Sequence, residues 1–195
     1  MARIGGRVEA VAGNVTGTGD LARLFDTIQA RTGRLDILVY SSGVAEHARL
    51  DTTEEHLDRA FGLNVRAMVF TVQHAAEQMR DGGAIVLIGS IAGGMANPGH
   101  GAYSASKAAV RSYARTCSTE LAPRGIRVNT LSPGPTDTPM FDQTNDELGQ
   151  ALTARIQAGR LGNSDEVAAA ALFLASDDST CVSGAELVID GGMSA

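Results

Sequence analysis

The feature that most constrains this chain is a rhythm. Short runs of consecutive apolar residues alternate with longer stretches whose apolar residues recur every three or four positions. Strands that alternate with helices in this way pair in parallel, because each crossover helix carries the chain back to the same end of the sheet. Asp36-Ile37-Leu38-Val39-Tyr40 and Ala84-Ile85-Val86-Leu87-Ile88-Gly89-Ser90 are almost unbroken apolar runs, as expected of strands covered on both faces. Val8–Val15, Ile126–Leu131 and Glu186–Asp190 read as further strands. Asp20 is placed to cap a helix carrying Leu21, Leu24, Phe25 and Ile28. Thr53-Glu54-Glu55 opens a helical region that reaches about Met79, with a break near Gly62. Further helices are expected from Tyr103 to about Ala122, weakly from Asp146 to Ala158, and from Asp165 to Ala175. The fold class is therefore α/β, a doubly wound parallel sheet.

With 195 residues the chain has the size of one domain, and no repeat, linker or low-complexity block divides it, so residues 1–195 are read as a single domain. The formal charge of −6 and the scattering of the 16 basic residues argue against a nucleic-acid or anionic-membrane partner. No apolar run approaches a membrane span, and the first residues lack the apolar core of a signal peptide, so a cytoplasmic location is expected. Cys117 and Cys181 form no CxxC pair and are expected as two buried, reduced thiols. His47, His56, His74 and His100 show no ligand spacing, and no metal site is expected.

The chemistry concentrates in Tyr103-Ser104-Ala105-Ser106-Lys107. Residues four apart on a helix share a face, which sets the Lys107 ammonium beside the Tyr103 phenol. A cation so placed favours the phenolate and is expected to let the tyrosine exchange a proton near neutrality. Ser90 lies at the C-terminal end of a buried parallel strand, the edge at which open α/β sheets hold ligands. Its hydroxyl is positioned to bond the substrate oxygen that Tyr103 would protonate.

These residues resemble the short-chain dehydrogenase/reductase family, of classical type, and the likeness runs along nearly the whole chain. Asn64 in Leu63-Asn64-Val65 matches that family's asparagine, and Ser90, Tyr103 and Lys107 match its serine, tyrosine and lysine. Ser132-Pro133-Gly134 resembles its Pro-Gly turn. Phe173-Leu174-Ala175-Ser176-Asp177 and Val188-Ile189-Asp190-Gly191-Gly192 resemble its C-terminal signature. The resemblance implies a Rossmann-like fold and an NAD- or NADP-dependent oxidoreductase that interconverts a small secondary alcohol and ketone. It implies Asn64, Ser90, Tyr103 and Lys107 as the catalytic set, with Tyr103 as acid or base, Ser90 orienting the substrate oxygen and Asn64 organising a helix kink and a water. For the cofactor it implies Asn14 and Val15 flanking the adenine, Gly43 in the loop after its strand, Tyr103 and Lys107 at the ribose, and Pro133, Gly134, Thr136 and Thr138 at the carboxamide.

Two departures matter. Tyr40-Ser41-Ser42-Gly43 keeps only the glycine of the family's Asn-Asn-Ala-Gly motif, so Ser41 or Ser42 is expected to tie the neighbouring strands by its hydroxyl. The family's opening Thr-Gly-x-x-x-Gly-x-Gly unit is missing, so the domain is expected to be truncated at its N-terminus, without strands 1 and 2 of the family sheet, and to bind the dinucleotide weakly. The Asp36–Tyr40 strand would then form a bare edge or close the gap. Gly17-Thr18-Gly19-Asp20-Leu21-Ala22 imitates a phosphate loop, but the Asp20 carboxylate would repel a phosphate at that helix start. The missing grip leaves a second reading open: a cofactor-independent, non-redox enzyme, or a binding or regulatory scaffold. Met95, Ala96, Asn97, Pro98, His100, Met140 and Phe141 are expected to line the substrate pocket. The resemblance also implies a homodimer or homotetramer, for which Met68, Val69, Val72, Val110, Tyr113 and Ala114 offer apolar faces.

Overall fold

A computed structural model of the chain describes residues 8–139 and 146–195; Met140 and Phe141 lie outside them. Four strands, β1 (Leu35–Tyr40), β2 (Met79–Ile88), β3 (Arg127–Pro133) and β4 (Glu186–Ile189), form one sheet in the order β1-β2-β3-β4. Every pairing is parallel, with Val39 opposite Val86, Val86 opposite Asn129, and Leu131 opposite Leu187. All four strands therefore run out at the same rim.

The helices are α1 (Thr18–Thr32), α2 (Glu54–Phe61), α3 (Met68–Gln78), α4 (Gly101–Glu120), α5 (Asp146–Thr153) and α6 (Ser164–Ala175). They cover the sheet on both faces. Ile85 and Leu87 of β2 and Val128 of β3 join Phe25, Met68, Val72, Val110 and Ala114 in a core beneath α1, α3 and α4. Val86 and Leu131 point the other way and pack with Leu174 of α6. Successive residues of β2 thus supply opposite cores, which is why that strand carries no polar alternation. Burial of Met68, Val72, Val110 and Ala114 inside the subunit also corrects their reading as association faces: they are spent on the core.

Three local expectations change. Val8–Val15 forms no strand, because among the described residues no neighbour offers it a ladder. Its backbone is instead held by α1: Arg23 donates to the Ala12 carbonyl at 3.1 Å, and the Asn14 N–H donates to Asp20 at 2.7 Å. Asp20 does not cap α1, which starts at Thr18 after Gly17; its carboxylate sits within the first turn and pairs with Arg23. Cys117 is buried as expected, but Cys181 is exposed.

β1 is an open edge among the described residues, with Ile37 46% and Val39 45% exposed. The expected break near Gly62 is a π turn over Gly62–Ala67 between α2 and α3. α6 is stopped at its start by a full capping box, Asn163 with Glu166.

Candidate active site at the strand exits

The rim where the parallel strands end collects Ser41-Ser42-Gly43 after β1, Gly89-Ser90 after β2, Gly134 after β3 and Asp190 after β4. α4 brings Tyr103 and Lys107 to the same place. A 3₁₀ turn, Ile91–Gly93, follows Ser90 and packs directly on α4. Gly93 is needed there: a Cβ would stand 2.8 Å from the Ala108 nitrogen and 2.9 Å from the Lys107 carbonyl carbon. Close packing of this turn fixes Ser90 relative to the helix.

Burial raises the Tyr103 phenol above its ordinary range, and a hydrogen bond from Ser90 pulls against that rise. Lys107 shares the Tyr103 face as its spacing predicts, with Nζ 5.8 Å from the ring centroid. Its expected acidifying effect is not borne out, because burial dominates both groups. Lys107 is itself brought down to about 8 by burial, and its ammonium donates to the Ile88 carbonyl at 2.8 Å.

Asn64 sits in the π turn, buried to 1% exposure. Its carboxamide accepts from the Val44 N–H at 2.8 Å and donates to the Val44 carbonyl and to Ser106 Oγ, each at 2.9 Å. Ser106 in turn donates to the Tyr103 carbonyl at 2.7 Å. The loop after β1 is therefore tied to α4 through Asn64. Ser41 and Ser42, expected to make such a tie, are both exposed. Ser106 lies three residues after Tyr103, and that helical spacing was the available signal for its part in the network.

Gly43 lies among these groups, since a Cβ there would come within 3.3 Å of Asn64 Oδ1 and 3.4 Å of Lys107 Nζ. Pro133 ends β3, and the Gly134 N–H donates to the Ile189 carbonyl at 3.0 Å. Thr136 Oγ1 donates back to the Gly134 carbonyl at 3.0 Å, and Thr138 Oγ1 donates to the Thr136 carbonyl at 3.4 Å. Asn14 and Val15 precede α1, where Asn14 Oδ1 accepts from Thr16 and Val15 packs against the core.

A nicotinamide dinucleotide fits one half of this arrangement. A lysine ammonium carries three donors, and Lys107 spends one on Ile88, so a buried cation retains donors for ribose hydroxyls beside the side-chain-free Gly43. At the start of α1 the fit fails for a phosphate, because Asp20 already occupies the donor at Asn14.

Comparison with known proteins agrees with this geometry. A family model described as Enoyl-(Acyl carrier protein) reductase matches residues 1–194. Cyclopentanol dehydrogenase of Comamonas sp. (strain NCIMB 9872) is 40% identical over 198 residues, covering 99% of this chain and 79% of that protein. The chain belongs to the short-chain dehydrogenase/reductase family. A hydroxynaphthalene reductase-like protein of Metarhizium brunneum is 34% identical over 207 residues, covering 98% and 78% of the two chains. Among solved structures, a short-chain dehydrogenase/reductase from Serratia marcescens superposes with a TM-score of 0.93 at 34% identity, over 98% of this chain and 78% of that one. A gluconate 5-dehydrogenase from Burkholderia cenocepacia, solved with NADP and tartrate, gives 0.88 at 32% identity over 92% and 72%. Membership places this short-chain dehydrogenase/reductase among oxidoreductases, on a Rossmann-like sheet.

Proposed function

We propose that the chain interconverts a small secondary alcohol and its ketone with NAD or NADP, using Asn64, Ser90, Tyr103 and Lys107. The observation that carries this reading is the gathering, at the strand exits, of Ser90 after β2 with Tyr103 and a buried Lys107 whose Nζ stands 5.8 Å from the Tyr103 ring centroid. NAD(P), when bound, supplies the hydride or receives it, which no side chain can do.

In reduction, the protonated Tyr103 phenol donates to the carbonyl oxygen as negative charge develops there. Ser90 donates to the same oxygen and stabilises that charge. A phenol raised by burial holds its proton at neutral pH, which suits this direction. In oxidation the same phenol must first lose its proton and then accept the one on the alcohol. Lys107 would hold the nicotinamide ribose with its remaining N–H groups, beside the space left at Gly43. Pro133, Gly134, Thr136 and Thr138 would hold the carboxamide, and Asn14 and Val15 would flank the adenine. Asn64 acts through others, holding the Val44 loop and the Ser106 turn under Tyr103. The name of the Comamonas relative supports a cyclic secondary alcohol as the substrate type.

The 195 residues hold no Thr-Gly-x-x-x-Gly-x-Gly turn. The open edge at β1 favours a second reading, a non-redox binding role on the same fold. Titration with NADH and NADPH, paired with cyclopentanol-dependent reduction of NAD or NADP, decides between them. Binding tighter than about 100 μM, roughly −5.5 kcal/mol, together with turnover supports the redox reading. A cooperatively folding protein that binds neither cofactor would overturn it.

A further inference from the structure

Two histidine rings that the chemistry above does not use extend in a row from Tyr103. His100 meets Tyr103 edge to face, with centroids 6.5 Å apart and planes at 72°. His47 meets His100 in the same manner at 5.3 Å and 87°. His47 belongs to the loop after β1, 53 residues before His100 in sequence, and several contacts hold that loop in place. Val44 is bonded in both directions by Asn64, and Glu46 takes a two-pronged hydrogen bond from Arg59 at 3.0 and 2.8 Å. The Ala48 N–H donates to the Gly99 carbonyl at 2.8 Å. Gly99 has φ +81°, and a side chain built on it would fall inside the His47 imidazole. The missing Cβ at Gly99 is thus the seat of the His47 ring.

The orientation of His100 has a chemical consequence. Its Nδ1 lies 3.4 Å from the Pro98 carbonyl oxygen. A carbonyl can only accept, so the contact fits the tautomer that carries its proton on Nδ1, in which Nε2 is left as an acceptor. His100 precedes Tyr103 by three residues at the start of α4, which sets the two rings on one side of the helix. Ser90 and Tyr103 serve the reacting oxygen; an acceptor beside them is suited to a second oxygen that carries a proton.

We propose that His100 is a specificity-determining residue that accepts a hydrogen bond from a hydroxyl adjacent to the reacting carbon, with His47 positioning it. The preferred substrate class is a vicinal diol and the α-hydroxy ketone formed from it. In oxidation the carbinol C–H bond breaks and its hydride goes to NAD(P), while the O–H proton of the same carbon goes to Tyr103. The second hydroxyl keeps all its bonds and only donates to Nε2. A mono-alcohol offers Nε2 no donor from the neighbouring carbon. This inference rests on the redox reading, because the adjacent position is defined by the carbon that Tyr103 serves.

The test compares trans-1,2-cyclopentanediol with cyclopentanol, two rings that differ by one hydroxyl. Wild-type protein is expected to favour the diol in kcat/KM. His100→Phe keeps an aromatic ring without the nitrogen and should cut that preference about tenfold, the scale of one neutral hydrogen bond. His100→Gln, which restores an acceptor, should recover part of it. His47→Ala should lower the preference through KM for the diol. An unchanged preference in His100→Phe overturns the proposal, as does a preference that Gln and Phe reduce alike. Histidine ¹⁵N spectra of the wild-type protein give a readout that needs no turnover: the diol should shift His100 Nε2 and cyclopentanol should not. A shift without any redox activity sinks the redox reading and keeps the His100 contact. Redox activity with no diol-specific shift sinks the contact alone.

Discussion

Tyr103 and Lys107 carry opposed demands of burial and chemistry, and single substitutions separate them. Tyr103→Phe removes only the hydroxyl and should reduce turnover by about 10² to 10⁴, the usual loss of a general acid or base; steady-state rates check it, and retained activity removes the phenol from the reaction. Lys107 holds its proton only up to about 8, against an ordinary value of 10.5. A lysine so depressed favours the folded state above 10.5, and that advantage is lost as pH falls through about 8. At neutral pH its charge is therefore a cost to folding. Lys107→Met should abolish turnover yet melt no lower than wild type at pH 7 by calorimetry; a melting point several degrees lower would refute the argument. The raised Tyr103 phenol predicts the pH profile. Ketone reduction needs the protonated form and should weaken as pH rises, whereas alcohol oxidation should climb through the alkaline range. An oxidation optimum below neutrality would contradict this.

At the scale of elements, the meeting of α4, the π turn and the Ile91–Gly93 turn decides the site. Gly93→Ala should force the turn away from α4, since its new methyl would stand 2.8 Å from the Ala108 nitrogen. Overpacking of this kind costs about 1–3 kcal/mol, and urea denaturation measures it. The sequence announced much of this geometry. Helical spacing put Lys107 on the Tyr103 face, the apolar run ahead of Ser90 put that serine at a strand exit, and Gly62 marked the break that holds Asn64. Other features depended on partners distant in sequence. The valine-rich Val8–Val15 segment has strand-like residues, but a strand exists only with a neighbour, and none is present among the described residues. The Asn64–Ser106 bond spans 42 residues, and the seating of His47 on Gly99 joins two loops that carry no shared pattern. Burial likewise reversed the acidity expected of Tyr103, because spacing reports proximity and not desolvation.

For the whole molecule, the parallel sheet sets both the liability and the design. Ile37 and Val39 expose apolar side chains on β1, an edge strand among the described residues and a template for association. Val39→Lys should reduce light scattering on heating at equal concentration, while unchanged scattering would acquit the edge. The two rims of the sheet use glycine differently. Gly33, Gly125 and Gly184, with φ of +70°, +65° and +71°, turn the chain toward β1, β3 and β4 at their entrances. Gly43, Gly89 and Gly134 at the exits instead leave space for neighbouring atoms. The entrance end of the sheet thus carries turns and the exit end the candidate site. A tether, label or solid support fixed to the entrance end would hold the protein with its reactive mouth facing the solution.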